Sequence, residues 1–472
     1  MAGGTQDAIK SPVGIVISVA ILILGVLLPW IMGGNPAQIR AMAILLFATV
    51  LWSTDALDPS VTSLAVIVLM PLLSVISYAE AVSQLGDSII WRLMGIFVFT
   101  AAVNKSGLGR RIAFHILKLA QGKVRAFFFL FIMTTFLFTF LIPAIMGRTM
   151  LMLTMVAGLL SAFRISPPSN IGKSIMTSLA FLSLISSTST MVGSSTTIYA
   201  VGLFESMLDY HFTYTSWLLA NFPVSFLTTV SIYFIFTRLF PPEIEVFPGG
   251  KDLMEKSLKE MSSLTPDEKR VLVVFFSLLF LWVSNLANSI PAELLAALIL
   301  MLPKVGVMNW KEASKEVNWG VLILFGAGLT IADALQKTNV ISDLTRIILN
   351  SVDTFPPVVL AIVIFVLTVG VRLGMSNMMA VVATFMPLVL NLGQSIGINP
   401  IWIGLVSLFA GSAIFLPTQS PSGIVTYSYE FYSTGEMIRA GAGIAIVIFI
   451  LTMLAAFFYW PYIGIPIYLP DK

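Results

Sequence analysis

The residue of this sequence with the most specific chemistry is an arginine inside an apolar segment. Arg148 lies between Met146 and Met150, with about 20 mainly apolar residues on each side, roughly the length of a membrane-spanning helix. A full charge at bilayer depth costs several kcal/mol unless it lines a cavity or meets a partner. We therefore interpret Arg148 as a candidate ligand-binding residue, because its planar guanidinium group can hold a carboxylate through two hydrogen bonds. An ion pair with an acid such as Asp333 or Glu430 would give it a structural role instead.

Three further polar interruptions of apolar segments supply hydrogen-bond donors. Hydroxyl groups crowd the stretch 186–197, and shorter polar stretches occupy 374–379 and 417–423. Serine and threonine in membrane helices can bond back to helix carbonyls or hold helices together, but their density in 186–197 favours unwound backbone that faces a ligand. Arg372, beside the second stretch, is predicted to extend its charge to the membrane interface. Interrupted segments in both halves of a chain are typical of binding sites in secondary transporters.

The residues at these interruptions form the predicted binding site. Hydroxyl and amide groups would donate hydrogen bonds, and helix N-termini would add free N–H groups and partial positive charge. The predicted ligand-binding residues are Gly147, Arg148, Thr149, Thr190, Ser194, Ser195, Ser376, Asn377, Ser420 and Ser422. If sodium binds, Ser376 and Asn377 would hold it. We expect no other metal and no cofactor, because no group of histidine and acidic residues has the spacing of a metal site.

The composition is that of a multi-pass membrane protein. The 472 residues are 57% hydrophobic and 10% charged, whereas a soluble domain has roughly a quarter of charged residues. Apolar runs leave room for roughly ten or eleven helical spans, so an all-α fold is expected. The chain has no cysteine, which excludes disulfides and thiolate chemistry. An enzyme is not expected, since the serines at the interruptions have no histidine base, and neither is a nucleic-acid partner.

Spans, hairpins and linkers divide the chain into five parts. Residues 1–125 hold the first spans and a basic amphipathic helix at the membrane interface, and 126–237 hold a first re-entrant hairpin and a broken helix. Residues 238–270 are a cytoplasmic linker. The plan repeats in 271–350, which holds further spans and ends in an amphipathic stretch at 341–349. Residues 351–472 hold another hairpin, another broken helix and the last span.

The first hairpin, residues 126–163, is predicted to turn at Gly147-Arg148-Thr149. Its outer ends carry Arg125 and Arg164, so both ends should lie on the same membrane face. A polar tip at membrane depth is stable only where it is buried in protein or lines a cavity. Two full spans are the alternative. The second hairpin, residues 356–392, is predicted to turn at Ser376-Asn377-Met378.

The two halves align as an internal repeat. A shift of 232 residues places Ala101–Ser106 over Asp333–Thr338, with the same order of span, amphipathic stretch, hairpin and broken helix in both halves. Such repeats often have inverted topology. Placing the first hairpin's entrance in the cytoplasm puts most Lys and Arg residues on that side, as the positive-inside rule requires, with the N-terminus cytoplasmic. The outside then receives Arg40, Arg92, Lys337, Arg346 and Lys472.

Several motifs, in the right order over almost the full length, resemble those of a known family. They are Trp52-Ser53-Thr54-Asp55-Ala56, Met70-Pro71-Leu72-Leu73, Lys105-Ser106-Gly107-Leu108 with Arg110-Arg111, Glu268-Lys269-Arg270-Val271, Trp319 to Gly326, and Met437-Ile438-Arg439-Ala440-Gly441. The chain resembles the divalent anion/sodium symporters, which are dicarboxylate and citrate carriers of elevator type. The resemblance implies an elevator-type transporter, a homodimer in the cell membrane, and a small dicarboxylate as ligand beside membrane lipid.

The departures from that family fall where its cation sites lie. The family carries Ser-Asn-Thr at both hairpin tips and Pro-Pro-Asn in both broken helices, for substrate and sodium. Here the second tip has Met378 in place of threonine, the first tip reads Gly147-Arg148-Thr149, and the broken helices read Gly193 to Thr197 and Gln419 to Gly423. We therefore expect Arg148 to replace sodium as a fixed cation.

A fixed cation favours exchange over symport. It does not leave with the substrate, so an empty carrier would hold an unbalanced charge and reorient slowly. We expect sodium-independent exchange of C4 and C5 dicarboxylates such as 2-oxoglutarate, malate, succinate and fumarate. Sodium- or proton-coupled symport of dicarboxylate or citrate is the alternative. A channel would need an open pore between the halves.

Overall fold

The computed structural model describes residues 12–54, 56–250, 263–284, 291–340, 356–375 and 377–469. In these ranges every regular secondary-structure element is a helix, and strand pairing is limited to two isolated bridges. Ten of the described helices are long and apolar enough to cross a membrane. The predicted all-α, multi-pass fold is therefore confirmed.

The described residues of the first half form eleven α-helices. They are α1 (Pro12–Met32), α2 (Pro36–Thr54), α3 (Pro59–Leu72), α4 (Tyr78–Ser83), α5 (Ser88–Ser106), α6 (Leu108–Lys118), α7 (Val124–Leu141), α8 (Ile145–Ala162), α9 (Asn170–Ile185), α10 (Ser195–Leu208) and α11 (Tyr214–Leu239). The basic helix α6 is amphipathic as predicted: Phe114 and Leu117 are buried, and Arg110 and Lys118 are exposed.

The second half repeats this series. It contains α12 (Pro266–Val283), α13 (Ala292–Met301), α14 (Trp310–Glu316), α15 (Trp319–Lys337), α16 (Pro357–Gly374), α17 (Met378–Ser395), α18 (Pro400–Ala410), α19 (Pro421–Tyr427) and α20 (Thr434–Leu454), which continues through a π-helical turn. The amphipathic stretch predicted at 341–349 lies outside the described residues.

Two ion pairs show that the halves are inverted. Lys105 at the end of α5 pairs with Glu312 of α14, just before α15, at 2.8 Å. Lys337 at the end of α15 pairs with Glu80 of α4, just before α5, at 2.9 Å. Helices α5 and α15 are therefore antiparallel, each ending beside the start of the other. The predicted shift of 232 residues relates both lysines and both glutamates, so the inverted repeat is confirmed.

Both predicted hairpins are present, but the first one turns earlier than predicted. Helix α7 ends at Leu141, and the non-helical joint is Ile142 to Ala144. Gly147-Arg148-Thr149 lies in the first turn of α8 instead of at the joint. The cause is Pro143, which cannot continue the hydrogen bonding of α7. Ile142 and Pro143 are buried in protein, as a re-entrant tip requires and the joint of two full spans would not.

The two broken helices are interrupted where the sequence predicted. A short 3-10 turn, Ser186–Ser189, separates α9 from α10, and Pro417–Gln419 forms the matching turn before α19. A glycine follows each turn. A Cβ on Gly193 would lie 2.2 Å from the Ser187 carbonyl oxygen, and one on Gly423 would lie 2.5 Å from that of Pro417. Only glycine allows the backbone to fold back this tightly at both interruptions.

Candidate functional site

The interrupted elements of both halves enclose a cavity of about 220 Å³. The two hairpin joints contribute Ala144 and Asn377 to its lining, and the two broken helices contribute Ser195 and Ser420. Helices α5 and α15 close it from the other side. A cavity of this size and position fits a small ligand held between two inverted halves.

Four of the ten predicted site residues line this cavity. These are Ser195, Asn377, Ser420 and Ser422. Four lining polar residues were not predicted as ligand-binding residues: Thr196, Asn318, Arg372 and Gln419. Thr196 lies within the hydroxyl-rich stretch and could have been included. Asn318 comes from the start of α15, and no local pattern distinguishes it from an ordinary helix cap.

The other predicted residues lie behind or outside the lining. Gly147, Arg148, Thr149, Thr190 and Ser194 belong to the same elements, but they are not among the residues that line the cavity. Ser376 lies outside the described residues. The polar lining is therefore supplied mainly by the second hairpin and the two broken helices.

Arg148 is completely buried and its guanidinium group binds backbone carbonyls. Nη1 donates to the oxygens of Ile142 at 2.7 Å and Gly193 at 3.1 Å, and Nη2 donates to that of Ser183 at 2.7 Å. These contacts tie the hairpin joint to the broken helix. Nε is buried without an acceptor among the described residues.

The acids considered as partners of Arg148 do not pair with it. Asp333 forms an ion pair with Lys337 at 2.9 Å, and Glu430 is exposed. None of the ion pairs among the described residues includes Arg148. Its positive charge is therefore compensated by carbonyl dipoles alone.

Arg372 does not extend to the membrane interface, so that prediction is wrong. Its side chain is completely buried and lines the cavity. Its two terminal nitrogens donate to the carbonyl oxygens of Met375, in the second joint, and of Gln419, in the second broken helix. Gln419 returns a hydrogen bond from Nε2 to the Arg372 carbonyl at 2.8 Å. These carbonyls pair the two terminal nitrogens inside the protein, whereas Nε is buried without an acceptor among the described residues.

Most of the hydroxyl cluster stabilises the unwound backbone. Ser187, Thr188 and Ser189 each donate to the carbonyl three residues earlier, at 2.6 to 2.8 Å. Thr197 donates to the Ser187 carbonyl at 3.1 Å. The stretch is unwound as predicted, but within it only Ser195 and Thr196 line the cavity. The hydroxyls thus replace hydrogen bonds that the broken helix has lost.

Among the described residues, five helix N-termini meet at the cavity, and four of them are capped by a side chain. Ser194 accepts from the Thr197 N–H, Asn318 from the Val321 N–H, Asn377 from the Met379 N–H, and Ser420 from the Gly423 N–H. Helix α8 begins after Ala144, which has the extended conformation of a capping residue but no side-chain acceptor. The first N–H groups of α8 have no partner within the helix either.

The described residues contain no group of three or more histidine, cysteine or acidic side chains that could hold a metal ion. Carbonyl oxygens and hydroxyls are the possible cation ligands at this site. Two sets of carbonyls that could serve are those already bonded by Arg148 and Arg372.

Comparison with solved structures supports the transporter fold. MtrF of Neisseria gonorrhoeae, described as illuminating a class of antimetabolite efflux pumps, has a TM-score of 0.53 at 13% identity, with 98% of both chains covered. The YdaH transporter of Alcanivorax borkumensis has a TM-score of 0.51 at 12% identity, covering 97% of this chain and all of that one. At these identities the likeness concerns the fold alone.

Sequence relatives cover nearly the whole chain. A membrane protein of Cupriavidus necator is 24% identical over 96% of this chain and 93% of its own. The sodium-dependent dicarboxylate transporter SdcS is 24% identical in Staphylococcus saprophyticus and 23% in Staphylococcus aureus, over 95% and 94% of this chain and 91% and 89% of the relatives. Residues 10–465 match the family described as the sodium:sulfate symporter transmembrane region. The chain therefore belongs to the sodium:sulfate symporter family of membrane transporters and is not an enzyme.

Proposed function

We propose that the protein exchanges C4 and C5 dicarboxylates, such as 2-oxoglutarate, malate, succinate and fumarate, across the cell membrane without sodium. The relatives named as dicarboxylate transporters support the substrate class. The observation that carries the sodium-independent mode is the pair of buried guanidinium groups, each bonded to carbonyls of a hairpin joint and of the facing broken helix.

Unwound carbonyls at broken helices are the groups that coordinate sodium in many secondary transporters. In this chain arginine side chains bond such carbonyls in both halves. A guanidinium group supplies the positive charge that a sodium ion would bring, and it is attached to the protein. Two fixed cations beside the cavity can balance the charge of one dianion without any bound ion.

Fixed charge also determines the coupling. Without substrate, the moving part of the carrier would take two buried and unbalanced cations across the membrane, at a high cost in desolvation. With a dianion bound, the net charge of the site falls to about zero. The loaded carrier should therefore reorient much faster than the empty one, which gives obligate exchange.

The way in which the site moves follows from the family resemblance. The hairpins and broken helices, within residues 126–237 and 351–472, would move as one part against the scaffold parts 1–125 and 271–350, in an elevator mechanism. The resemblance also implies a homodimer in which the scaffold parts hold still. The positive-inside rule favours a cytoplasmic position for the N-terminus and the linker 238–270.

Sodium-coupled symport is the second candidate. Two of the relatives are named sodium-dependent, and Asn377 at the second joint has an amide oxygen that could join a cation site. Proposed sodium ligands on this side are Ser376 and Asn377.

The test is uptake of labelled 2-oxoglutarate into proteoliposomes, with and without internal dicarboxylate, in choline buffer and in sodium buffer. The proposal expects uptake that requires internal dicarboxylate and is the same in both buffers. Uptake into empty vesicles that rises with an inward sodium gradient would establish symport instead. Chloride flux in parallel separates a carrier from a channel.

A further inference from the structure

We propose that the protein binds a phosphatidylethanolamine molecule of the membrane in a second cavity, which lies at the ends of α7 and α11. This interfacial pocket has a volume of about 650 Å³. Its lining includes three charged side chains, Lys123, Arg125 and Glu245, and two aromatic ones, Phe129 and Tyr233. Binding of a lipid goes beyond the proposed exchange, and it can be measured without transport.

The interfacial pocket lies where two helices would reach the membrane surface. Helix α7 starts at Val124 and α11 ends at Leu239, and both are long and apolar enough to cross a membrane. Phe129 follows the start of α7 by five residues, and Tyr233 precedes the end of α11 by six. At a rise of 1.5 Å per residue, these aromatic residues are about 7 to 9 Å deeper than the helix ends. A phospholipid has the same order, with a charged head group above apolar chains.

The pocket brings both signs of charge together without pairing them. Lys123 and Arg125 lie at the start of α7, and both are exposed, as is Glu245 in the linker. None of the ion pairs among the described residues includes any of the three. The backbone holds Glu245 in place, because its carbonyl oxygen accepts from the Val124 N–H at 2.9 Å and Lys123 forms a bridge with Val246. Two cations and one carboxylate are thus available to a ligand.

These charges fit a zwitterionic head group that carries an ammonium. Arg125 and Lys123 can donate charge-assisted hydrogen bonds to a phosphate. The Glu245 carboxylate can only accept, and the ammonium of ethanolamine offers it three N–H donors. Choline has no N–H donor, and a glycerol head group has no cation. With phosphatidylglycerol, Glu245 would therefore repel the phosphate that the two cations attract.

Aromatic rings form the wall below the charges. Phe129 and Tyr233 pack edge to face, with 5.5 Å between their ring centroids. Tyr233 also contacts Phe128 and Phe234, at 5.9 and 5.3 Å. Phe129 is 38% exposed and Phe234 is 51% exposed. Exposed aromatic side chains near a membrane surface are typical of lipid contact, so the acyl chains would lie along these rings, against the first arm of the first hairpin.

Native mass spectrometry of the full-length purified protein measures this binding. The probes are phosphatidylethanolamine, phosphatidylcholine and phosphatidylglycerol with identical acyl chains. We expect wild type to bind phosphatidylethanolamine at least about fivefold more tightly than the other two, the factor that one charged contact at a membrane surface contributes. Soluble glycerophosphoethanolamine at the same concentration should not displace the lipid, because it lacks the chains that cover the aromatic wall.

Two variants test the two ends of the head group separately. E245Q should bind phosphatidylethanolamine about fivefold more weakly than wild type, and phosphatidylglycerol no more weakly, which also shows that the variant is folded. K123Q/R125Q should bind both lipids more weakly, since the phosphate loses its donors. R238Q is the control, because Arg238 is an exposed arginine at the same end of α11 but is not part of the pocket lining.

Four results would each overturn the proposal. They are equal binding of all three lipids, tighter binding of phosphatidylglycerol than of phosphatidylethanolamine, wild-type binding of phosphatidylethanolamine by E245Q, and displacement by the soluble head group. A loss in R238Q as large as in E245Q would overturn it as well, since it would indicate a general effect of surface charge. The proposed exchange is tested separately, because no residue lines both the interfacial pocket and the ligand cavity.

Discussion

The two hairpins bury one arginine each and use it in the same way, but from opposite arms. Arg148 lies on the arm after its joint, bonds three carbonyls and is not part of the cavity lining. Arg372 lies on the arm before its joint, bonds two carbonyls and lines the cavity. In both halves an arginine therefore links the hairpin joint to the broken helix, but from a different arm and through carbonyls at different positions. Arg148 should therefore matter more for stability and Arg372 more for the ligand.

The largest expected effect is on stability, in R148M. Three carbonyls would lose their donor, and each buried group left unsatisfied costs about 1 to 3 kcal/mol of unfolding free energy. R148K keeps the charge without the forked geometry and should fall between R148M and wild type. The melting temperatures of the purified variants in detergent measure these losses of stability. An R148M protein that melts like wild type would show that the three carbonyl contacts contribute little.

The second effect is on binding, in R372Q. Removing a buried positive charge from the cavity lining should weaken 2-oxoglutarate binding by about 1.5 to 3 kcal/mol, the range for hydrogen bonds to charged groups. R439Q is the control, because Arg439 is an exposed arginine on α20, away from the cavity lining. If R372Q binds 2-oxoglutarate as tightly as wild type, Arg372 has no role in ligand binding and the two hairpins do not differ in this respect.

The third prediction concerns the glycine that follows the 3-10 turn in each broken helix, a feature that both halves share. G193A and G423A should each destabilise the protein by about 1 to 3 kcal/mol, because the added methyl group would meet the carbonyl oxygen of the preceding 3-10 turn. G370A is the control, since nothing lies within 4 Å of a Cβ at Gly370. The tighter contact is at Gly193, so G193A should be the worse of the two. Thermal unfolding of the three variants measures these losses of stability.

The smallest effects are expected at the ion pairs that join the halves. Lys337 and Ser77 bond the Glu80 carboxylate and lower its pKa to about 2, and Lys105 lowers the pKa of Glu312. A lowered carboxylate pKa contributes stability above its usual value of 4.5 that is lost only as pH falls toward the folded-state pKa. Stability should therefore not vary through these pairs between pH 5 and 8.

K105M and K337M test the same point by substitution. Both pairs are exposed, and exposed ion pairs contribute little. We expect melting temperatures close to that of wild type and unchanged exchange. A large loss in one variant only would mean that the corresponding end of the scaffold takes part in the transport cycle.

Much of this architecture could be predicted from the sequence. The lengths of the apolar segments predict the spans, and the polar residues that interrupt them predict both broken helices and the second hairpin joint. The prediction of the first joint at Arg148, the most polar position, is wrong because Pro143 is the residue that ends the helix. A single proline within an apolar run is a weaker compositional signal than a charge, but it has the stronger effect on the backbone.

The site was harder to predict than the fold. The partners of both arginines are backbone carbonyls, which are present at every position and therefore leave no pattern in the sequence. For Arg372 one of them, Gln419, is 47 residues away. Asn318 reaches the cavity because α15 packs beside the hairpins, and that is a property of tertiary structure.

We propose that two guanidinium groups attached to the protein take the place of bound sodium. In proteoliposomes loaded with unlabelled 2-oxoglutarate, the entry of radiolabelled sodium and of labelled 2-oxoglutarate from outside can be measured together. We expect 2-oxoglutarate entry with no sodium entry above that of protein-free vesicles. Sodium entry in a fixed ratio to 2-oxoglutarate would contradict it, and would mean that a cation site works beside both arginines.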